Sequence, residues 1–202
     1  MFKALEDFGR ERLSTHFYMR DFLYSEISAI YGIPNIPCDP ELAVEAGRGL
    51  CKSLLEPLHR TFGGIVVRSA YRSPVVNAFG SNHGFNNFGS NEWNRAKHIW
   101  DWRNDDGSMG ATACIVIPWF IDTKQYRETC DWRPLAWYIH DHLPYSEMVF
   151  FPKNAAFNLN WRERDPRRKI KSYATPRRLT ESDINETEDH SAEYLGFPSF
   201  RG

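Results

Sequence analysis

The segment from Ile65 to Pro118 constrains the fold most strongly, because it contains two strand patterns separated by a polar stretch. Val66–Arg68 belongs to a short β-branched run, and Pro74 follows the turn after it, where proline suits the first position of a helix. Ala113–Ile117 is a second run of mostly small and β-branched residues, and Pro118 ends it. We predict that the two runs are neighbouring strands of one sheet. The other predicted strands of that sheet are residues 147–150 and 156–161.

Polar and reactive side chains lie at the ends of these strands. Tyr71 and Arg72 follow the first strand, His98 precedes the second, and Cys114 lies within the second. Since directly opposed residues of neighbouring strands lie close together, we expect these four side chains to converge on one cleft. The pattern therefore predicts a functional site.

The residues that carry this pattern also carry a family resemblance. The motif Ser-x-Tyr-Arg-Ser-Pro-x-x-Asn starts at Ser69, a His follows at 98, and Gly-x-x-Ala-x-Ile-x-x-Pro starts at Gly110. This combination resembles the M15 group of zinc peptidases, which are D-Ala-D-Ala carboxypeptidases and peptidoglycan endopeptidases. The likeness covers residues 14–161. It implies an α+β domain of the Hedgehog/DD-peptidase fold, with helices packed on one face of a small antiparallel sheet.

The chain departs from that family at the positions that carry the chemistry. In the family, zinc is held by a His, an Asp and a second His, and His98 stands where the first ligand belongs. Cys114 replaces the Asp, the last strand offers Asn158 and Asn160 in place of a His, and Phe151 stands near the expected catalytic carboxylate. The resemblance thus implies a divergent member whose peptidase activity is weak or lost. The alternative is a non-catalytic structural or binding module, such as a component of a phage particle.

Zinc remains a candidate cofactor, because imidazole and thiolate are both good zinc ligands. His98 and Cys114 would need a third ligand, which Asp101 or His142 is placed to supply, with His140 as another option. His140 and His142 are two positions apart on a predicted helix, so they point in different directions and at most one reaches the site. Two other interpretations stay open. Cys114 is a buried core residue beside a structural His98, or the pair forms a nucleophile and its base.

The resemblance also implies a substrate-binding role for the turn after the first strand. The matching Arg of the family binds the substrate's carboxylate or carbonyl, which suits the guanidinium fork of Arg72. The implied substrate-binding residues are Tyr71, Arg72, Ser73 and Asn77. The alternative is that Arg72 fixes the turn by an ion pair with Asp101 or Glu147. A cell-wall peptide or a protein partner is the expected ligand.

Composition limits the remaining choices. A chain of 202 residues is long enough for one well-cored domain. A net charge of −1 argues against general nucleic-acid binding. No apolar run is long enough to cross a membrane. The acidic start of the chain does not resemble a signal peptide, and the four cysteines show no paired spacing, so we expect reduced thiols and a cytoplasmic or phage-particle location.

Local patterns predict the other elements. Apolar spacing predicts a helix over Phe17–Tyr31, and Asp39-Pro40-Glu41 predicts the start of a helix that reaches Phe62 with a kink at Pro57. Residues 80–93 are expected to form a loop and 133–142 a helix. Residues 99–109 are an insertion relative to the resembling family, of the kind that forms a lid over a cleft.

The end of the chain divides by charge. Residues 162–178 are basic and include a possible edge strand at 169–174, whereas residues 179–202 are acidic. We expect one domain over residues 1–178 and a peripheral acidic tail over 179–202 that neutralises the basic segment. An arm that binds a partner is the alternative.

Overall fold

The structure, a computed structural model, describes residues 2–85, 88–180 and 189–202. These residues form an α+β domain around a six-stranded sheet. The helices are α1 (Phe2–Gly9), α2 (Glu26–Tyr31), α3 (Pro40–Leu50), α4 (Glu56–Phe62), α5 (Pro74–Asn82), α6 (Asn91–Asn94), α7 (Pro118–Ile121), α8 (Lys124–Thr129) and α9 (Arg133–His142). The strands are β1 (Val66–Ser69), β2 (Gly110–Val116), β3 (Glu147–Phe150), β4 (Phe157–Arg162), β5 (Lys169–Ser172) and β6 (Arg178–Thr180).

The sheet has the strand order β1-β2-β4-β3-β5-β6. β1 pairs with β2, and β4 lies between β2 and β3, so the predicted grouping of these four strands is confirmed. The sheet is mostly antiparallel, but β3 and β5 run parallel. The edge strand predicted at 169–174 corresponds to β5, which is shorter. It is not an edge strand, because β3 pairs with one side of it and β6 with the other.

The two faces of the sheet differ in chemistry. Along β2, Ala111, Ala113 and Ile115 belong to the hydrophobic core. The alternate positions, Thr112 and Cys114, lie on the opposite face because successive side chains of a strand alternate. The helices α3, α4 and α9 supply the apolar residues that cover the core face. The opposite face is left for polar residues.

The helical region before β1 follows its local signals. Asp39 caps α3 by accepting a hydrogen bond from the Leu42 amide at 3.0 Å, and Gly63 ends α4 with a φ of 77°. Between α3 and α4 the chain forms a π-helical segment, Cys51–Leu55. This wider helical segment ends two residues before Pro57. Proline has no N–H, so it cannot donate the helical hydrogen bond to the carbonyl four residues earlier.

The predicted helix over Phe17–Tyr31 is wrong in its first half. Met19–Phe22 forms a short 3₁₀ helix, and the α-helix begins only at Glu26. Ser25 starts this second helix, because its side chain accepts a hydrogen bond from the Ser28 amide. Capping by serine therefore outweighed the continuous apolar pattern.

Two predicted loops contain more structure than expected. The loop over 80–93 is shortened by α5, which continues to Asn82, and by α6, which begins at Asn91. The insertion at 99–109 does not begin as a lid, since Ile99 and Trp100 are fully buried. The Trp100 indole instead donates a hydrogen bond to the carbonyl of Thr112 in β2 at 3.2 Å.

The predicted boundary between domain and tail falls inside β6. Residues 189–202 pack against α9 and α4, with Phe197 among the aromatic side chains of the core margin and the Arg201 amide bonded to the Thr61 hydroxyl at 3.0 Å. Residues 189–202 of the tail therefore lie on helices, whereas residues 179 and 180 belong to β6 and pair with the basic segment. Most of the tail's acidic residues lie in 181–188, outside the described residues. No helix in the described ranges is long and apolar enough to cross a membrane.

A substitution at Gly110 tests the close packing at the start of β2. A Cβ atom at Gly110 would lie 2.3 Å from the carbonyl oxygen of Ala96. Since that atom belongs to the backbone and cannot rotate away, we expect Gly110→Ala to lower the free energy of unfolding by about 2 kcal/mol. Urea denaturation followed by circular dichroism measures the change.

The matched control is Gly9→Ala at the end of α1. The nearest atom to a Cβ there is 3.5 Å away, which is an ordinary contact. We expect a change within about 0.5 kcal/mol. Equal losses for the two variants would contradict the packing argument.

Candidate functional site

A cleft of about 380 Å³ occupies the polar face of the sheet. Thr112 and Cys114 of β2 lie opposite Asn160 and Asn158 of β4, respectively, so these four side chains share that face. Glu147 and Val149 continue the face across β3, and the loop from Gly89 to His98 covers one side. The side chains that line the cleft are Trp93, Asn94, Lys97, His98, Thr112, Glu147, Val149, Phe151, Asn158, Asn160, Lys171, Ser172, Tyr173 and Arg177.

A carboxylate held by two lysines lies in this cleft. Glu147 accepts a hydrogen bond from Lys171 Nζ at 2.9 Å and lies 3.6 Å from Lys97 Nζ. Burial alone would raise the pKa of Glu147, but Lys97 and Lys171 outweigh burial and hold it below its ordinary value. Glu147 is therefore ionised at neutral pH, and the cluster carries a net positive charge.

Exposed aromatic rings lie on the cleft wall next to this charge cluster. Trp93 is 63% exposed and Tyr173 is 52% exposed, although both line the cleft. The Lys97 ammonium lies 3.9 Å from the centre of the Trp93 ring, and Phe151 stacks on Tyr173 at 5.4 Å. The wall thus combines cationic groups with flat apolar surfaces. Trp100 and Trp132, in contrast, are buried and belong to the core.

His98 is fixed by backbone contacts on both sides. Its Nδ1–H donates to the Ala70 carbonyl at 2.7 Å, and its own carbonyl accepts a hydrogen bond from the Arg72 amide at 2.8 Å. Burial, together with the Arg72 charge, lowers the pKa of His98 well below its ordinary value. The imidazole is therefore neutral at pH 7 and keeps its acceptor lone pair on Nε2.

Cys114 shares the face of the cleft but is not reactive in this environment. Burial raises the pKa of its thiol to about 11, although Arg68 and Arg72 oppose that rise. A protonated thiol is a poor nucleophile at neutral pH. This geometry gives no support to a cysteine nucleophile activated by His98.

The four predicted substrate-binding residues have different surroundings. Ser73 caps α5 by accepting a hydrogen bond from the Val76 amide at 3.2 Å, and Asn77 donates to the Gly89 carbonyl at 3.0 Å. Tyr71 donates its hydroxyl to Asp101 at 3.1 Å. These three side chains hold the loops in place, and Tyr71 and Arg72 also border a separate small cavity of about 110 Å³.

Arg72 is the unusual member of that set. Its guanidinium lies 4.1 Å from the centre of the Phe88 ring, and its buried Nη1 has no hydrogen-bond partner. Burial lowers the pKa of Arg72 to about 10, so the group stays charged at neutral pH. Among the described residues, Arg72 forms no ion pair with Asp101 or Glu147. The alternative that such an ion pair fixes the turn is therefore excluded for these residues.

The four predicted metal ligands are not brought together. Asp101 is buried and bonded to Tyr71 and to the Cys38 amide, and His142 bonds to the Tyr138 carbonyl and packs on Phe200. As expected from helix geometry, His140 points elsewhere and approaches Tyr145. Of the four, His98 and Cys114 share the polar face of the sheet.

A different group of ligand-type side chains is present. His140, Asp141 and His190 offer ligand atoms within 4.8 Å of one another, and this group has the donors to hold a metal ion. Among the described residues, no other group of three or more such side chains meets this spacing. His140 was a candidate ligand from its sequence position, but Asp141 and His190 were not, because no local spacing connects residues of α9 with the C-terminal segment. Lys97 and Lys171 were also missed, although Lys171 follows an alternating pattern in β5.

Comparisons of the chain with protein-family models, with curated proteins and with solved structures found no match.

The pH dependence of stability tests the Glu147 cluster. Because the folded pKa lies below the ordinary value of 4.5, the stabilisation is fully present above that pH and is lost as the pH falls through the folded value. At pH 7 we expect Glu147→Gln to lower the free energy of unfolding by about 1–2 kcal/mol, since it removes a charge-assisted hydrogen bond.

The same pair of proteins is then unfolded in urea at about pH 7 and at a series of lower pH values, across which Glu147 takes up its proton in the folded state. The gap in stability between wild type and Glu147→Gln should narrow at the lower pH values. A gap that stays constant would show that the carboxylate charge does not stabilise the fold.

Proposed function

We propose that the chain is a divergent relative of the M15 peptidases with a Hedgehog/DD-peptidase-like fold, and that it binds a peptide in its cleft without hydrolysing it. The observation that carries this proposal is the composition of the polar sheet face. His98, Cys114 and Asn158 lie there, with Phe151 at the wall. On this proposal, the polar face corresponds to the surface that holds the family's zinc and base, with its donors replaced.

The donor set explains why hydrolysis is not expected in this cleft. A zinc peptidase needs three ligands, an open position for water and an acid that takes the proton from that water. An amide such as Asn158 is a poor zinc ligand compared with imidazole, and Phe151 cannot accept a proton. Glu147 is the carboxylate of the cleft, but its lysine partners hold it as a fixed anion.

The chemistry of the cleft favours a ligand with a carboxylate and a flat or apolar group. Among the described residues, Lys97, Lys171 and Arg177 line the cleft, and Glu147 is the one anionic side chain that does so. Arg177 is exposed and reaches the cleft from the turn before β6. Trp93 and Tyr173 offer ring faces on which a sugar or an apolar side chain can stack. A cell-wall peptide with a terminal carboxylate combines these features.

A metal-dependent hydrolase is the second candidate, and one observation favours it. His98 donates Nδ1–H to the Ala70 carbonyl, as metal-ligating histidines commonly donate the ring N–H that does not face the metal. Cys114 would be the other ligand on this face, since a bound metal deprotonates a thiol. This candidate still lacks a third described ligand near the pair.

Hydrolysis of a muropeptide that ends in D-Ala-D-Ala separates the two candidates. With zinc added, we expect wild type to show no turnover above that of His98→Ala, because the donors of a complete site are missing. Product formation is followed by mass spectrometry. Zinc-dependent turnover that is lost in His98→Ala would overturn the binding-only proposal and establish a rewired metallopeptidase.

Binding of the same muropeptide is measured by isothermal titration calorimetry. We expect Arg177→Gln and Trp93→Ala each to weaken binding about fivefold, which corresponds to about 1 kcal/mol. Lys124→Gln is the matched control, because Lys124 is an exposed lysine of α8 outside the cleft. We also expect amidation of the peptide's terminal carboxylate to weaken binding. If wild type does not bind, or if all three variants bind equally, the proposal fails.

A further inference from the structure

A histidine of the C-terminal segment lies against the end of α9. His190 is 7% exposed, and its ring stacks on Trp137 with 3.9 Å between centroids. The rings of His190 and His140 meet edge to face at 5.5 Å, and His140 is 2% exposed. Asp141 completes the cluster, and its side chain is 18% exposed. Two buried imidazoles therefore meet the carboxylate of a more exposed residue.

The hydrogen bonds of His190 leave part of its ring unused. Its Nδ1 lies 2.9 Å from Asp141 Oδ1, to which it donates, whereas its Nε2 is buried and has no hydrogen-bond partner. A neutral imidazole that donates from Nδ1 carries a lone pair on Nε2. Buried nitrogens of this kind are costly unless they find a partner. To share an ion with His190, Asp141 would exchange this hydrogen bond for a bond to the ion.

We propose that His140, Asp141 and His190 bind a zinc-type divalent ion that fastens the C-terminal segment, residues 189–202, to α9. Zinc accepts this set of imidazole nitrogens and a carboxylate oxygen, and water completes the coordination at sites with three protein ligands. The ligand atoms lie within 4.8 Å of one another, a spacing that one ion can bridge. This site is structural and is separate from the cleft, so it does not depend on the proposed function.

The contacts around the cluster explain what the ion would stabilise. Tyr194 donates its hydroxyl to Asp141 Oδ2 at 2.8 Å, and Tyr138 donates to the Pro198 carbonyl at 2.9 Å. Phe197 packs between the rings of Phe62 and Trp119. The segment is thus held by a few polar bonds and by aromatic packing. An ion at its first residues would restrain the whole segment, because it joins the segment to a helix that is distant in sequence.

The test titrates zinc chloride into the full chain after treatment with a chelator. We expect one ion per chain in calorimetry, and about a 100-fold loss of affinity in His190→Gln, because a ligand is removed. Asp141→Asn should also lose about 100-fold, because a neutral amide is a weaker zinc ligand than a carboxylate. His142→Gln is the matched control on the same helix and should bind zinc like wild type. Circular dichroism confirms that each variant is folded. If His190→Gln does not fold, Asp141→Asn tests the site in its place.

Hydrogen exchange of residues 189–202 supplies a second measurement. Zinc should slow exchange in this segment for wild type and His142→Gln, but not for His190→Gln. The proposal is overturned if wild type binds no zinc, or if zinc binding survives His190→Gln and Asp141→Asn unchanged. Loss of binding in His98→Ala, with His190→Gln unaffected, would also overturn it and would place the ion in the cleft.

Discussion

The buried carboxylate of Asp101 is the interaction on which the arrangement of the cleft depends. It accepts hydrogen bonds from the Cys38 amide at 2.7 Å and from the Tyr71 hydroxyl at 3.1 Å, so it joins the start of α3 to the turn after β1. Burial and the Asp101 charge raise the pKa of Tyr71, which keeps that hydroxyl protonated as a donor. Because a buried carboxylate without donors is very costly, these segments are held together as a unit. His98, three residues earlier in the chain, takes its position from the same turn.

The sheet then separates two kinds of chemistry by alternation alone. One face supplies Ala113, Leu159 and Met148 to the core, and the other presents polar groups to the cleft. The core face needs apolar side chains of matching volume, whereas the cleft face is free to change its donors without loss of the fold. Side chains such as Cys114 and Asn158 can therefore vary on this face without disturbing the core. The fold is compatible with catalysis and with binding. Which of the two occurs depends on the side chains of the cleft face.

Local sequence signals predicted much of the fold, but they did not predict contacts between residues that are distant in sequence. Pro74 and Asp39 begin helices as predicted, and β1 and β2 pair as expected, because capping and β-branched runs act over a few residues. The site was predicted in part: His98 and Cys114 share the polar face, but Asp101 serves as a structural acceptor. The roles of Asp101 and His190 depend on partners many positions away, and nothing in their neighbouring sequence indicates those partners.

The order of the strands has a consequence for how the cleft comes into being. The central pairings join Val66 to Val116 and Gly110 to Arg162, and the parallel pair β3 and β5 adds a further long connection. Proteins dominated by such non-local pairings fold slowly, because chain entropy is lost before the contacts form. The cleft draws residues from Gly89 to Arg177. The cleft is therefore complete only when the strands and loops that line it are all in place, and a ligand that binds there shifts the folding equilibrium toward the native state by mass action.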